Sequence, residues 1–106
     1  MAQLPPYSTR FVAFYGAANT YRYVVPEGYR AVLVCVDHVS TTPGVLSRLT
    51  VALGSLAYIW ESEIIADIGW AQWTGRQVLE AGEELQLRAQ TPCSAVASGY
   101  LLNAVP

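Results

Sequence analysis

No lysine occurs in the 106 residues: all six basic side chains are arginine, set against eight acidic ones, and charged residues make up only 13% of the chain. The net charge of −2 leaves no basic stripe, which excludes the electrostatic footprint of a nucleic-acid binder. Two cysteines are too few for a disulfide scaffold. Long hydrophobic runs are missing too. The longest uncharged apolar stretch, Leu49 to Trp60, is too short to cross a bilayer and is interrupted by Gly54. The uncharged stretch from Ala89 to Pro106 is broken by Pro92, Gly99 and several polar residues. The opening MAQLPPYSTR has neither the basic n-region nor the apolar h-region of a signal peptide, so the expectation is a protein made and kept in a cytoplasm, at least until assembly.

Catalytic and metal signatures are equally scarce. No serine sits in a G-x-S-x-G elbow, and there is no C-x-x-C and no D-x-D-x-D-G loop. The single histidine, His38, follows Asp37, but neighbours in a strand point to opposite faces, so Asp37 does not orient it by adjacency. Cys35, Cys93 and His38 lack metal-ligand spacing, and without a secretion signal the two thiols are expected to stay separate. Glu61, Glu63 and Asp67, like Glu80, Glu83 and Glu84, lie in or beside turn regions, where charges are ordinarily solvated. The expectation is therefore no catalytic group, no metal site and no cofactor, with a small enzyme the least supported class.

Apolar residues are abundant, at 53%, and this with so little charge is the reverse of a disordered composition. One domain of this length buries roughly 65% of its unfolded surface. Turn signals recur at Gly16–Asn19, Pro26-Glu27-Gly28, Thr41–Gly44, Gly54-Ser55, Gly75, Ala81–Glu83 and Thr91-Pro92. Between them lie short segments rich in Val, Leu, Tyr, Trp and Thr, a spacing that predicts an all-β sandwich or barrel. Strands are expected over 10–16, 20–25, 29–39, 46–53, 56–61, 68–74, 84–90 and 94–103. The clearest is 84–90, where Leu85, Leu87 and Ala89 alternate with Glu84, Gln86, Arg88 and Gln90. The stretch 76–84 has room for at most one helical turn before Gly82.

The segment 29–39 differs because both of its faces are apolar. Simple alternation puts Ala31, Leu33 and Cys35 on one side and Val32, Val34 and Val36 on the other, with Cys35 as a small buried hydrophobe. Such a strand must be covered twice, once by the core and once by a loop, an arm or another subunit. Residues 1–9 form an expected extended N-terminal arm ahead of a single domain over 10–106. The arm carries Leu4, Pro5, Pro6 and Tyr7, and Met1 to Ser8 include no charged side chain. An apolar arm implies docking, and eight extended residues reach up to ~28 Å, enough to meet a neighbouring subunit. Seven tyrosines and three tryptophans are the other conspicuous feature. In a strand over 68–74, Trp70 and Trp73 face opposite sides, one for the core and one for presentation. Tyr21 and Tyr23 share a face opposite Arg22. These four aromatics and Leu4, Pro5, Pro6 and Tyr7 are the candidate interface residues.

Two stretches carry a resemblance. One is Val25-Pro26-Glu27-Gly28-Tyr29-Arg30-Ala31-Val32-Leu33; the other runs from Trp73-Thr74-Gly75-Arg76 through Gly82-Glu83-Glu84-Leu85 and is followed by Ser98-Gly99-Tyr100-Leu101. Over residues 24–103 this order resembles the small β-sandwich structural proteins of tailed-phage virions: capsid decoration, head or tail accessory and minor tail proteins. The resemblance implies an antiparallel two-sheet, jelly-roll-like β-sandwich of about eight short strands. It also implies a non-enzymatic subunit that associates with itself (a trimer among the options) and with other virion proteins such as the major capsid protein. Neither nucleic acid nor membrane is an expected partner. The expected location is the virion, after synthesis in the host bacterial cytoplasm. A carbohydrate-binding module with a Trp/Tyr platform is the alternative of a different class.

Overall fold

The computed structural model describes residues 9–41, 46–54, 57–64 and 69–103. Eight strands account for most of them: β1 (Thr9–Gly16), β2 (Asn19–Val24), β3 (Tyr29–Ser40), β4 (Ser47–Leu53), β5 (Ala57–Ile64), β6 (Trp70–Leu79), β7 (Glu84–Ala89) and β8 (Cys93–Asn103). They pair antiparallel into two four-stranded sheets, ordered β1-β8-β3-β6 and β2-β7-β4-β5. Every turn between consecutive strands except β4–β5 carries the chain from one sheet to the other, and this interleaving is the topology of a jelly roll.

The local chemistry explains the ends of the strands. In the β2–β3 turn the Tyr29 amide donates to the Pro26 carbonyl at 3.2 Å, and Gly28 takes a φ of 85°. In the β6–β7 turn the Glu83 amide donates to the Glu80 carbonyl at 3.0 Å, with Gly82 also at 85°. Only glycine occupies that left-handed position without strain. The two turns are laced together by Gly82 N–H donating to the Val25 carbonyl and Val25 N–H donating to the Glu83 carbonyl.

The core lies between the sheets. Leu33, Val36, Leu49, Val51, Leu79, Leu85 and Leu87 are sealed from solvent, and each buried leucine contributes about 1.5–3 kcal/mol by area. Among them the inner face of β8 offers Cys93, Ala95, Ala97 and Gly99, with Leu101 following them against the core. Leu49, Val51, Leu85 and Leu87 of one sheet thus meet a central strand of mostly small residues in the other.

Two irregularities set which residues face in. In β3 the pairing with β8 steps from Leu33↔Gly99 to Cys35↔Ser98, so Val34 is an inserted residue. The bulge reverses the alternation. Ala31 and Leu33 face the core before it; Val36, His38 and Ser40 face the core after it. This corrects the simple alternation expected for this strand: Cys35 lies on the outer face, half-buried, and Val36 lies inside. In β1 a similar step between Arg10 and Val12 lets both Phe11 and Val12 into the core.

Strand β6 is longer than expected. Gly75 does not break it, and residues 76–79 continue as strand rather than as a helical turn. A Cβ on Gly75 would stand 2.9 Å from the Trp73 ring, so this glycine makes room for the indole to lie along the inner face. The arm residues Leu4, Pro5, Pro6 and Tyr7 lie outside the described residues, and Thr9, counted with the arm from sequence, is already paired with Gly99.

Candidate interaction face

The two outer faces of the sandwich differ in charge. On the β2-β7-β4-β5 sheet the outward positions include Arg22, Arg48, Glu61, Glu63, Glu84 and Arg88. Four of them pair, Arg22 with Glu84 at 3.1 Å and Arg48 with Glu63 at 3.6 Å, while Glu61 has no ion-pair partner among the described residues. Arg88 donates to the Gln86 side chain at 2.8 Å and to the Gly54 carbonyl at 2.9 Å, and lies 5.8 Å from the Tyr58 ring centre. This is an ordinary solvated surface.

The outer face of the β1-β8-β3-β6 sheet is built otherwise. Register aligns its side chains into rows across four strands. One row reads Tyr15, Ser94, Val39, Trp70; the next, Ala13, Val96, Asp37, Gln72; the third, Arg10, Ser98, Cys35, Thr74. Only Asp37 and Arg10 among these carry charge, and neither has an ion-pair partner among the described residues. Beyond them Tyr100, Val32 and Val78 align in a further row, in which Val32 is already buried. Large side chains stand in solvent here: Tyr15 is 81% exposed, Trp70 63% and Val78 43%. Exposed contiguous apolar surface of this kind marks an interaction site.

At the centre of the face, Gln72 Nε2 donates to Asp37 Oδ1 at 2.8 Å and approaches Cys35 Sγ at 3.4 Å, while the Cys35 thiol points at Asp37 Oδ2 at 3.6 Å. Partial burial, then the Asp37 carboxylate, push the Cys35 thiol above its ordinary pKa, so it is a poor nucleophile. Cys93 faces the interior, also raised by burial; both cysteines are free thiols.

His38 is sealed inside the sandwich between the two sheets. Its Nδ1 lies 2.7 Å from Ser62 Oγ and its Nε2 2.8 Å from Ser47 Oγ, and Ser47 also hydrogen-bonds Cys93. Burial holds the imidazole below its ordinary pKa, hence neutral, with one nitrogen donating and the other accepting. A serine and a histidine at this distance have nucleophile–base geometry, but His38 is 0% exposed and no substrate reaches it. The cluster acts as a polar tie between β3, β4 and β5. Cys35 points away from it, so the three residues weighed as metal ligands do not converge.

The aromatic candidates divide between the two environments. Trp70 stands outward and Trp73 lies against the core. Tyr21 and Tyr23 face inward: Tyr21 stacks on Phe14 with centroids 3.8 Å apart and donates to the Ala17 carbonyl, and Tyr23 meets Phe11 at 4.9 Å. Arg22 rather than either tyrosine faces solvent between them. Tyr15 and Tyr58, both strongly exposed, were not singled out in the sequence; the alternation of β1, with Phe14 inward and Tyr15 outward, is the signal that points to the first. No protein-family model matches the chain, and a search of curated proteins finds no match either.

Proposed function

We propose that the protein is a non-enzymatic structural subunit of a phage virion, a capsid decoration protein that stabilises a shell by burying one sheet face against its neighbours. The observation that carries this reading is the contrast between the two outer faces. A free monomer needs both faces solvated; here one carries ion pairs and the other displays Tyr15, Val39, Val96, Val78 and Trp70. Jelly rolls serve in capsids because a rigid sandwich presents flat faces for symmetric packing. The sealing of the only histidine inside the core supports a structural rather than a catalytic role. Minor tail or head–tail accessory positions are variants of the same reading, and the uncharged arm Met1 to Ser8 suits contact across a subunit boundary.

The test is protein composition of purified particles. The chain should be present in stoichiometric copy number and should rebind shells stripped of it. Absence from particles, or saccharide binding by a monomer on a glycan array, would move the assignment to the carbohydrate-binding alternative. Tyr15 and Trp70 close the two ends of one row and would be its platform.

A further inference from the structure

His38 is buried between the sheets at one end of the sandwich, where β4 begins, β5 ends and β8 begins. From β3 in one sheet its ring reaches two hydroxyls of the other: Ser62 on β5 through Nδ1 at 2.7 Å, and Ser47 on β4 through Nε2 at 2.8 Å. Strand β5 lies at the edge of its sheet, with β4 as its one ladder partner. The Ser62 bond thus ties an edge strand across to the opposite sheet. Among the described residues the inner faces around the ring hold no acid. Strands β4, β5, β6 and β8 present Ser47, Leu49, Ser62, Ala71, Ala95 and Cys93, and of these Cys93 alone is titratable. Asp37 on β3, Arg48 on β4, and Glu61 and Glu63 on β5 point outward, and Asp67 lies outside the described residues. We propose that His38 is an acid-sensitive latch: neutral, it holds the end of β5 against the opposite sheet, and on protonation it releases that end before the sandwich as a whole unfolds. The inference is independent of the assembly role.

The neutral ring needs one donor and one acceptor, and two hydroxyls meet both needs because each can donate or accept. A second proton makes both ring nitrogens donors. The hydroxyl that had donated must then turn away, and a full positive charge stands in a site closed to water with no acid beside it. Burial already holds the ring below its ordinary pKa. The imidazolium therefore requires water, and the edge strand is the element that can yield to admit it. Along the end of β5, Ser62 and Ile64 are buried while Glu61 and Glu63 are solvated, so the strand is one layer of cover over the ring. A strand paired on one side opens at less cost than one paired on both. Strands β3 and β8 are central in their sheet and paired on both sides, so they give way only with the fold. Once β5 opens, His38 titrates near its ordinary value of about 6.5, and each pH unit below that favours the open form by up to about tenfold.

Native-state hydrogen exchange of the full chain, read residue by residue by NMR and corrected for intrinsic rates, tests the latch. The amides of Ser62–Ile64 that pair with β4 should exchange faster than the slowest amides of the β3–β8 ladder. Their exchange should depend little on dilute denaturant, the mark of an opening smaller than the whole fold. Between pH 7.5 and pH 5.0 their protection should fall by up to about 30-fold, the value for a group that titrates near 6.5 once open. In His38→Gln, whose side chain still donates and accepts, the fall should shrink to about twofold or less. Exchange of Ser62–Ile64 only together with the slowest amides would overturn the latch. So would a wild-type fall below about threefold, or a comparable fall in His38→Gln. If His38→Gln does not fold, the wild-type ring decides. Its nitrogen shifts should stay those of a neutral imidazole in the folded protein down to pH 5.5; a ring that protonates near pH 6.5 with Ser62–Ile64 still protected would overturn the proposal.

Discussion

Gly99 is where the fold has least room, and Gly99→Ala is the sharpest perturbation the structure defines. The residue faces inward from β8, opposite Leu33 on one side and Thr9 on the other, beside the bulges of both β3 and β1. A Cβ there would lie 1.8 Å from the Val32 carbonyl oxygen and 3.0 Å from the Phe11 ring. Ordinary C···O contact is about 3.3 Å, so the β3 backbone would have to retreat by about 1.5 Å. Phe11 could yield by rotating, but the carbonyl is held by the ladder between the two central strands of the sheet. Losing one or two ladder hydrogen bonds and forcing the bulge open should cost about 2–5 kcal/mol. In a domain of this size that lowers Tm by roughly 10 °C or more. Urea denaturation followed by tryptophan fluorescence measures it. Ser98→Ala, one residue away on the outer face, is the control and should stay within about 0.5 kcal/mol of wild type. A Gly99→Ala protein as stable as the control would refute the close approach of β3 and β8, and with it the bulge that decides which β3 residues face out.

Two further outcomes follow from the buried groups. The unfolded chain holds the His38 pKa near 6.5, while the folded chain holds it lower through burial, so the unfolded state binds more protons as pH falls below 6.5. Stability from this group is complete above that pH and is lost as pH falls, at up to about 1.4 kcal/mol per pH unit, until the folded pKa is passed. Denaturation curves between pH 5 and pH 8 should show this loss in wild type and a shallower dependence in His38→Gln; equal slopes would contradict it. The thiols should remain unpaired: under native conditions Cys35 should alkylate slowly and Cys93 only on unfolding, and a faster-running non-reduced chain in denaturing electrophoresis would contradict this.

The eight strands were legible because β-branched and aromatic segments alternate with turn residues of known conformational demand. Glu84–Ala89 is the plainest case, since its polar and apolar residues separate cleanly onto two faces. The site was less legible, and the cause lies in β3. From Ala31 to Val36 every side chain is apolar, so shifting the alternation by one residue at Val34 leaves no trace in hydropathy, yet it decides that Cys35 and Asp37 face outward and Val36 and His38 inward. Gly75 misled for a related reason. Glycine marks a break where the backbone needs a positive φ, but here it marks a space filled by Trp73. The pair Tyr21 and Tyr23 share a face, as alternation requires, but alternation alone does not say whether that face is the core. Phe11 and Phe14, arriving from β1 in the other sheet, make it so.

The central claim is that the β1-β8-β3-β6 face, and not its opposite, is covered in the assembled protein. Hydroxyl-radical labelling read by mass spectrometry tests it directly, because each face carries its own strongly exposed reporter: Trp70 on one and Tyr58, 67% exposed, on the other. Labelling is compared between dilute protein and the assembled form. Trp70 should become protected on assembly while Tyr58 keeps its reactivity. Protection of Tyr58 with Trp70 still reactive would contradict the account.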